Sequence, residues 1–327
     1  MTRSSRRVVV VGSVNVDLLV RTPRHPLPGE TVSGDSLQTG SGGKGLNQAV
    51  AAARSGTVVH MVAAVGDDAG GRAALDLLTS DGIDTTSVTV REDATTGHAL
   101  VTVDAAGENS IIIVGGANAS LDDSVGRLLP ELDPDDVVLL QNELPATATA
   151  TASRLAHRAG ATVVWNAAPA PRSLDELPPE IDLLVVNEHE LAAVALLLDI
   201  DAGDSDERVA TMVGRRLDAV VVVTRGGAGS LVVDGDRHES VPASVVEVVD
   251  TTAAGDTFIG YLAGGLTGVG VDAVALTRAG TAAGLTVTRP GAAASIPSLD
   301  DVDRALDLVG TSAPAPPALT SPTPSRS

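Results

Sequence analysis

Short apolar runs alternate with amphipathic stretches along most of the chain. The apolar runs are rich in Val, Leu and Ile, as in strands that are buried on both faces. The stretches between them repeat their apolar residues with the spacing of helices. This pattern predicts strands over residues 7–14, 57–65, 137–141, 161–165, 183–186 and 220–223, and helices over 69–80, 146–159 and 189–198. Because such alternation builds a parallel sheet covered on both faces, the chain is expected to adopt an α/β fold.

Two segments interrupt this alternation. Residues 15–41 contain several Pro and Gly between short strand-like runs, and residues 97–114 have the pattern of a β-hairpin around a Gly-Glu-Asn turn. We expect the two segments to pair as a small separate sheet. Such a sheet would act as a lid over the ligand-binding edge and would exclude water there.

A helix is predicted to begin near residue 254, after an apolar run at 241–249 that predicts a strand. The helix would bury one face formed by Phe258, Tyr261, Leu262 and Leu266. Its first N–H groups lack partners within the helix and lie at the positive end of its dipole, so small residues there let an anion approach. Asp256, in this first turn, can accept a proton from a hydroxyl group directed at a bound phosphate. The alternative interpretation is an ordinary N-cap aspartate.

The composition narrows the class of protein. Hydrophobic residues make up 43% of the chain, yet there is only one Trp, one Tyr and one Phe, so the core must consist of Val, Leu, Ile and Ala. The net charge of −20 repels nucleic acid and anionic membranes. The absence of Cys excludes disulfides, thiolate catalysis and Cys-ligated metals.

The sequence pattern contains neither a signal peptide nor a membrane span. The apolar run near the N-terminus is too short for the former, and no run reaches the roughly 18 apolar residues of the latter. We therefore expect a cytoplasmic protein without nucleic-acid or membrane partners. Its domain is predicted to occupy residues 7–310, followed by a disordered tail at 311–327 that is rich in Pro, Ser and Thr.

Lys44 is the only lysine of the sequence, and it lies in a Gly-Gly-Lys-Gly loop. A cramped glycine loop can demand a compact ammonium that Arg cannot replace, although chance could also leave one lysine at any position. Residues 40–45 match the spacing of a dinucleotide fingerprint, but a poor buried strand precedes them and no acidic residue follows before Asp67. The loop is not a Walker motif either, because Gly45 follows the lysine.

Polar side chains follow several predicted strands, at the sheet edge where open α/β folds bind ligands. Asn15 and Asp17 lie two residues apart and would point to the same face, so both could bond one polyol. A turn-forming Asn and Asp is the structural alternative. Glu143 follows the strand predicted at 137–141.

A second group of polar residues lies after the strands predicted at 183–186 and 220–223. Asn187 and Glu190 have i, i+3 spacing, and oxygen ligands of this kind suit Mg²⁺. A capping Asn with a first-turn Glu is the structural alternative. Thr224 begins a glycine turn that would admit a nucleotide near the backbone, although such turns are common between strands.

The sequence resembles the ribokinase-like carbohydrate kinase family over residues 7–309. Four motifs carry the resemblance: Gly-Ser-Val-Asn-Val-Asp at 12–17, Gly-Gly-Lys-Gly-Leu-Asn-Gln-Ala at 42–49, Asn-Glu-His-Glu at 187–190, and Asp-Thr-Thr-Ala-Ala-Gly-Asp-Thr-Phe at 250–258. The resemblance implies a three-layer α/β sandwich with a central, mostly parallel sheet and a small β-sheet lid. Family members commonly form homodimers through that lid.

The resemblance also implies roles for the residues that match these motifs. Asp256 would be the catalytic base, and the N–H groups of Ala254, Gly255 and Asp256 would form the anion hole, with Ala253 in the same catalytic turn. The implied sugar ligands are Asn15, Asp17, Gly43, Lys44, Asn47, Glu143 and Asp256. The implied ATP contacts are Asn187, Thr224, Gly226, Gly229, Gly255 and Gly280. The implied metal ligands are Asn187 and Glu190 for Mg²⁺, and Asp250, Thr252, Arg289, Gly291 and Ser295 for an activating K⁺.

The activity that the resemblance implies is ATP-dependent phosphorylation of D-ribose at its primary 5-hydroxyl. Kinases of the same fold that act on 2-deoxyribose, fructose or adenosine are alternatives, although a purine substrate would favour more aromatic residues than this chain has. A sugar-binding regulator without catalytic activity is a further alternative. An intact Asp256 beside the anion-binding turn argues against it, since a binder needs no base.

Overall fold

The computed structural model describes residues 6–266, 268 and 270–311 of the chain. The strands are β1 (Arg7–Val11), β2 (Asn15–Arg21), β3 (Ser36–Gly42), β4 (Val58–Gly66), β5 (Asp84–Arg91), β6 (Gly97–Val103), β7 (Asn109–Val114), β8 (Val137–Leu140), β9 (Thr162–Asn166), β10 (Leu183–Asn187), β11 (Val220–Thr224), β12 (Ser230–Asp234) and β13 (Arg237–Val241). The helices are α1 (Lys44–Arg54), α2 (Ala69–Ser80), α3 (Ala146–Ala159), α4 (Glu188–Leu197), α5 (Asp206–Leu217), α6 (Ala254–Gly265), α7 (Ala273–Thr286) and α8 (Leu299–Thr311).

The central sheet contains nine strands in the order β13-β12-β11-β10-β9-β8-β1-β4-β5. Strands from β11 to β5 pair in parallel, and β12 and β13 add an antiparallel edge. Because the parallel strands run the same way, the polar residues that follow β8, β9, β10 and β11 meet at one edge of the sheet.

Helices cover both faces of this sheet. Alternate residues of β1 point to opposite faces. Val8 and Val10 pack in a core with α1, α2, α6, α7 and α8, whereas Val9 and Val11 pack in a second core with α3, α4 and α5. The predicted three-layer α/β sandwich is therefore confirmed, and both cores consist mainly of Val, Leu, Ile and Ala.

A separate four-stranded sheet has the order β3-β2-β6-β7, which confirms the predicted pairing of the two interrupting segments. Strand β2 pairs antiparallel with β3 and parallel with β6, and β7 forms one edge. Asn15, at the start of β2, lies opposite Gly42 of β3 and Gly97 of β6. The lid-like sheet thus begins at the edge where β1 ends.

The strand predicted at 241–249 is wrong, because β13 ends at Val241. Strand β13 is an edge strand whose neighbour is β12, and Val241 already lies opposite Ser230, the first residue of β12, so the residues after Val241 have no described strand to pair with. Pro242 directly follows and cannot donate a backbone hydrogen bond. Val245, Val248 and Val249 are 102%, 60% and 58% exposed. An apolar, β-branched run forms a strand only where a partner strand is present.

The helix predicted near residue 254 is present as α6, and its predicted apolar face is buried. Of the tail predicted at 311–327, only Thr311 belongs to the described residues, as the last residue of α8. Among the described residues, no helix combines the length and the apolar character that crossing a membrane requires.

Candidate active site

The first turn of α6 leaves backbone donors open. Ala253, directly before the helix, has a left-handed backbone conformation with φ 60°. Ala254 N–H donates to Thr251 O at 3.3 Å, whereas the N–H groups of Gly255 and Asp256 have no acceptor in the described part of the chain. A Cβ added at Gly255 would meet no atom within 4 Å. The turn therefore presents free N–H groups to open space, which is the requirement for binding an anion.

The Asp256 carboxylate lies at this turn and is held by two amides of α1. Asn47 Nδ2 donates to its Oδ2 at 3.0 Å, and Gln48 Nε2 donates to its Oδ1 at 3.0 Å. Lys44 Nζ lies 3.9 Å from Oδ1. Helices α1 and α6 can approach this closely because Gly260 has no side chain. A Cβ at this position would lie 2.5 Å from Gln48 O. Asp256 is therefore a fixed base candidate and does not cap its helix.

A cavity of about 220 Å³ opens beside Asp256. It is lined by Lys44, Asn166, Ala168, Val185, Val186, Asn187, Glu190, Thr224, Thr251, Ala253, Ala254, Gly255, Asp256 and Ile259. The lining joins the first turn of α6 to the carboxyl ends of β9, β10 and β11. This cavity unites the predicted base, the anion-binding turn and the predicted Mg²⁺ residues.

Two of the predicted sugar residues, Asn15 and Asp17, lie in strand β2 of the small sheet. Asn15 is buried, and its Oδ1 accepts a hydrogen bond from Asn118 Nδ2 at 2.8 Å. Burial, together with the negative charges of Glu143 and Asp256, raises the pKa of Asp17 to about 7. The side chain of Asp17 packs over Gly42, where a Cβ would lie 2.0 Å from Oδ2.

Lys44 is the cation among these carboxylates. The charge of Asp256 raises the pKa of Lys44 most, against the opposing effect of burial, and Glu143 and Glu190 add to the rise. The main chain of Lys44 also anchors Glu143, because Lys44 N–H donates to Glu143 Oε2 at 3.1 Å and Ser13 Oγ donates to the same oxygen. The single lysine of the sequence therefore balances the carboxylates of the site.

Asn187 and Glu190 form a capping box at the start of α4. Glu190 N–H donates to Asn187 Oδ1 at 2.8 Å, and Asn187 N–H donates to Glu190 Oε2 at 2.9 Å. Burial raises the pKa of Glu190. Within the described residues no hydrogen bond engages Oε1 of Glu190, and both residues line the cavity. Asn187 and Glu190 can therefore cap helix α4 and at the same time offer an oxygen ligand at the cavity.

Only one of the other residues predicted to contact the nucleotide lies at the cavity. Thr224 lines the cavity, but Gly226, Gly229 and Gly280 are absent from its lining. A Cβ at Gly229 would lie 2.1 Å from Val241 O, so this glycine permits a close approach of two backbone segments. Gly226 and Gly280 both face open space.

The loop around Asp250 is tied to the segment that follows α7. Asp250 Oδ1 accepts bonds from N–H and Oγ1 of Thr252, and Oδ2 accepts from Gly291 N–H at 2.9 Å. Burial alone would raise the pKa of Asp250, but these hydrogen bonds outweigh it, so the pKa lies below its ordinary value. Arg289 instead lies 3.5 Å from Asp301, and Ser295 Oγ donates to Ala292 O. Asp250, Thr252 and Gly291 therefore meet, whereas Arg289 and Ser295 contact other groups.

Four polar residues around the site have no role in the sequence interpretation. Gln48, Gln141 and Asn166 form a buried network beneath Asp256, and Asn118 holds Asn15. All four are at most 3% exposed. Asn166 ends the buried strand β9 and Gln141 directly follows β8, and a polar residue at the end of a buried apolar strand is the sequence signal that points to both.

A base candidate, open backbone donors and oxygen ligands around one cavity define a class of protein, namely enzymes that transfer a phosphoryl group to an alcohol. The chain belongs to the pfkB family of carbohydrate kinases, whose sequence profile matches residues 5–299.

Individual relatives agree with this family. The chain is similar to a ribokinase of Schizosaccharomyces pombe, with 37% identity over 92% of this chain and 98% of the relative. It is similar to a deoxyribokinase of Salmonella typhi, with 35% identity over 92% of this chain and 99% of the relative. Its fold matches the structure of Arabidopsis thaliana ribokinase complexed with ribose and ATP, with a TM-score of 0.81, 31% identity, and coverage of 93% of this chain and 99% of that chain.

Proposed function

We propose that the protein is an ATP-dependent ribokinase that converts D-ribose to D-ribose 5-phosphate. Relatives named ribokinase align over nearly the whole chain, and one solved relative holds ribose and ATP. The observation that carries the proposal is the fixed Asp256 carboxylate beside the free N–H groups of the α6 turn. Neither group alone specifies a kinase, but together they suit an alcohol nucleophile and a phosphate.

The transfer follows from these groups. The proposed sugar site consists of Asn15, Asp17, Gly43, Lys44, Asn47 and Glu143. The primary hydroxyl of the sugar lies at Asp256, which takes its proton as the oxygen bonds to the γ-phosphorus and the bond to ADP breaks. Free N–H groups of Gly255 and Asp256 then stabilise the negative charge on the transferred phosphoryl group. The lid sheet excludes water, which would otherwise compete as the acceptor.

The residues around the cavity fit a bound nucleotide with Mg²⁺. Asn187 and Glu190 would hold the ion, directly or through water, because both residues line the cavity and Oε1 of Glu190 has no hydrogen bond among the described residues. When bound, Mg²⁺ neutralises phosphate charge. Thr224, Gly226, Gly229 and Gly280 would flank the nucleotide.

The sugar identity is tested by an assay of ADP release over ribose, 2-deoxyribose, fructose and adenosine. We expect the highest kcat/KM with ribose. A deoxyribokinase relative of nearly equal identity makes 2-deoxyribose the strongest competitor. Turnover with adenosine and none with ribose would overturn the substrate proposal. If none of the four acceptors led to ADP release, the kinase activity itself would be overturned.

Replacing K⁺ by a bulky organic cation is expected to lower kcat by roughly three- to tenfold, the equivalent of about one lost hydrogen bond. The proposed K⁺ site combines Asp250 and Thr252, which lie directly before the anion-binding turn, with Gly291 from the segment after α7, whose N–H donates to Asp250. The ion would be held there with help from the segment that carries Arg289 and Ser295. Turnover measured at constant ionic strength checks this, and equal rates in both salts would remove the K⁺ assignment.

We further propose a homodimer formed through the lid. Strand β7 is an edge strand, and its Ile111, Ile112, Ile113 and Val114 are 54%, 64%, 47% and 47% exposed. Exposed apolar edge strands promote association, so a second copy is expected to cover this one. Sedimentation at micromolar concentration should give a dimer and Ile112→Lys a monomer. A parent protein that sediments as a monomer would contradict this proposal.

A further inference from the structure

A buried chain of side-chain amides lies beneath the Asp256 carboxylate. Gln141 Nε2 donates to Gln48 Oε1 at 2.7 Å, and Gln48 Nε2 donates to Asp256 Oδ1 at 3.0 Å. The same Gln48 nitrogen donates to Asn166 Oδ1 at 3.1 Å, and Asn166 Nδ2 donates to Val185 O at 3.1 Å. Neither Gln48 nor Gln141 lines the cavity, so both act on the site only through Asp256 and Asn166.

The carboxylate sets the direction of every amide in this chain. An ionised carboxylate only accepts hydrogen bonds, so Gln48 must turn its NH₂ group towards Asp256. Gln48 Oε1 then faces Gln141, which must present its own NH₂ group. Asn166 agrees independently, because its bond to the carbonyl of Val185 turns its Oδ1 towards Gln48. Two separate contacts therefore hold the Gln48 amide in one orientation.

With the amides oriented in this way, one buried acceptor has no hydrogen-bond donor in the described part of the protein. Gln141 Oε1 is buried and has no donor among the described residues. A buried polar atom without a partner destabilises the fold. The backbone also makes space for this amide, because a Cβ at Gly12 would lie 2.2 Å from Gln141 Oε1. An apolar residue at 141 would avoid the unsatisfied oxygen, so the glutamine is best explained by its effect on Gln48.

We propose that Gln48 is a positioning residue for the Asp256 base and that Gln141 holds Gln48 in the required orientation. Gln48 occupies one lone pair of Oδ1 and Asn47 occupies one of Oδ2, so the plane of the carboxylate is fixed. The remaining lone pairs are then available to the sugar hydroxyl in a constant geometry. The kinetic consequence rests on the proposed kinase function, whereas the orientation of the amides does not.

Two substitutions at Gln141 separate orientation from packing. Gln141→Met keeps the length of the side chain but removes the donor to Gln48, and we expect kcat to fall roughly fivefold with an unchanged KM for the sugar. Gln141→Glu keeps the shape, but an ionised Glu only accepts. It therefore draws the Gln48 NH₂ group towards itself and turns Gln48 Oε1 towards Asp256. We expect a larger loss in kcat, of roughly 10- to 100-fold.

The pH dependence gives a readout that a purely structural role would not change. A protonated Glu at position 141 donates to Gln48 Oε1 as glutamine does. The kcat of Gln141→Glu, relative to the parent at the same pH, should therefore recover as the pH falls. Gln141→Met has no such ionisation, and its ratio to the parent should be flat. A Gln141→Glu ratio that falls further as the pH falls, or a Gln141→Met variant with the kcat of the parent, would overturn the inference.

Ser153→Ala is the matched control, because Ser153 is fully buried and its Oγ donates to Glu180 O at 2.7 Å, away from the site. It should lower the melting temperature without changing kcat.

The side-chain amide resonances of Gln48, measured by NMR without substrate, test the orientation separately and should shift in Gln141→Glu. If the parent phosphorylates none of the tested alcohols, the proposed function fails. If these resonances are unchanged in Gln141→Glu, the positioning inference fails.

Discussion

Replacing Asp256 by Asn is expected to lower kcat by at least ~100-fold while sugar binding largely persists. The amide cannot take the proton of the attacking hydroxyl, so the step that forms the oxygen–phosphorus bond loses its base. In the proposed site, Asn15, Asp17 and Glu143 would still hold the sugar. Steady-state kinetics and calorimetric titration of the sugar measure the two effects separately.

A matched control uses the same substitution at an ordinary capping residue. Asp272 Oδ1 accepts from Ala275 N–H at 2.8 Å at the start of α7. Asn caps a helix as well as Asp does, so Asp272→Asn should leave both kcat and stability nearly unchanged. A near-normal rate in Asp256→Asn would remove Asp256 from the mechanism. Loss of sugar affinity without loss of kcat would make it a ligand only.

The sequence predicts those features that depend on local periodicity. Helix α2 spans the predicted residues, and each predicted core strand is present within a few residues of its predicted ends. Strong alternation of apolar runs with amphipathic stretches decides these elements without reference to distant residues. The failed strand at 241–249 has the same apolar character, but it depends on a neighbouring strand that the sheet does not provide.

The candidate site is predictable only in part, for the same reason. Motifs identify Asp256, Lys44 and Asn187, because each lies in a recognisable local pattern. The support beneath Asp256 has no local pattern, since Gln48 lies 208 residues from Asp256 and 93 from Gln141 in sequence. The role of Gly229 is likewise set by a backbone segment from another strand. Contacts between distant residues thus decide what sequence patterns leave open.

Replacing Asp17 by Asn is expected to weaken sugar binding and to stabilise the unliganded protein. A carboxylate that accepts hydrogen bonds from sugar hydroxyls contributes more than a neutral amide, so the KM for the sugar should rise roughly 10- to 100-fold above pH 7. With a pKa of about 7, the parent loses this carboxylate by protonation as the pH falls. Its KM should therefore rise between pH 8 and 6, whereas the KM of Asp17→Asn should change little.

The stability effect has the opposite sign. Burial and the charges of Glu143 and Asp256 raise the pKa of Asp17 from 3.8 to about 7, so the folded state binds more protons than the unfolded state between these values. The free energy of unfolding of the parent therefore falls as the pH rises through this window. Asp17→Asn carries no such charge and should be more stable by about 1–3 kcal/mol at pH 8, with the difference vanishing near pH 4. Urea unfolding at both pH values measures this. A variant that is less stable than the parent at pH 8 would show that Asp17 supports the fold, and its burial near Glu143 and Asp256 would then need no functional explanation.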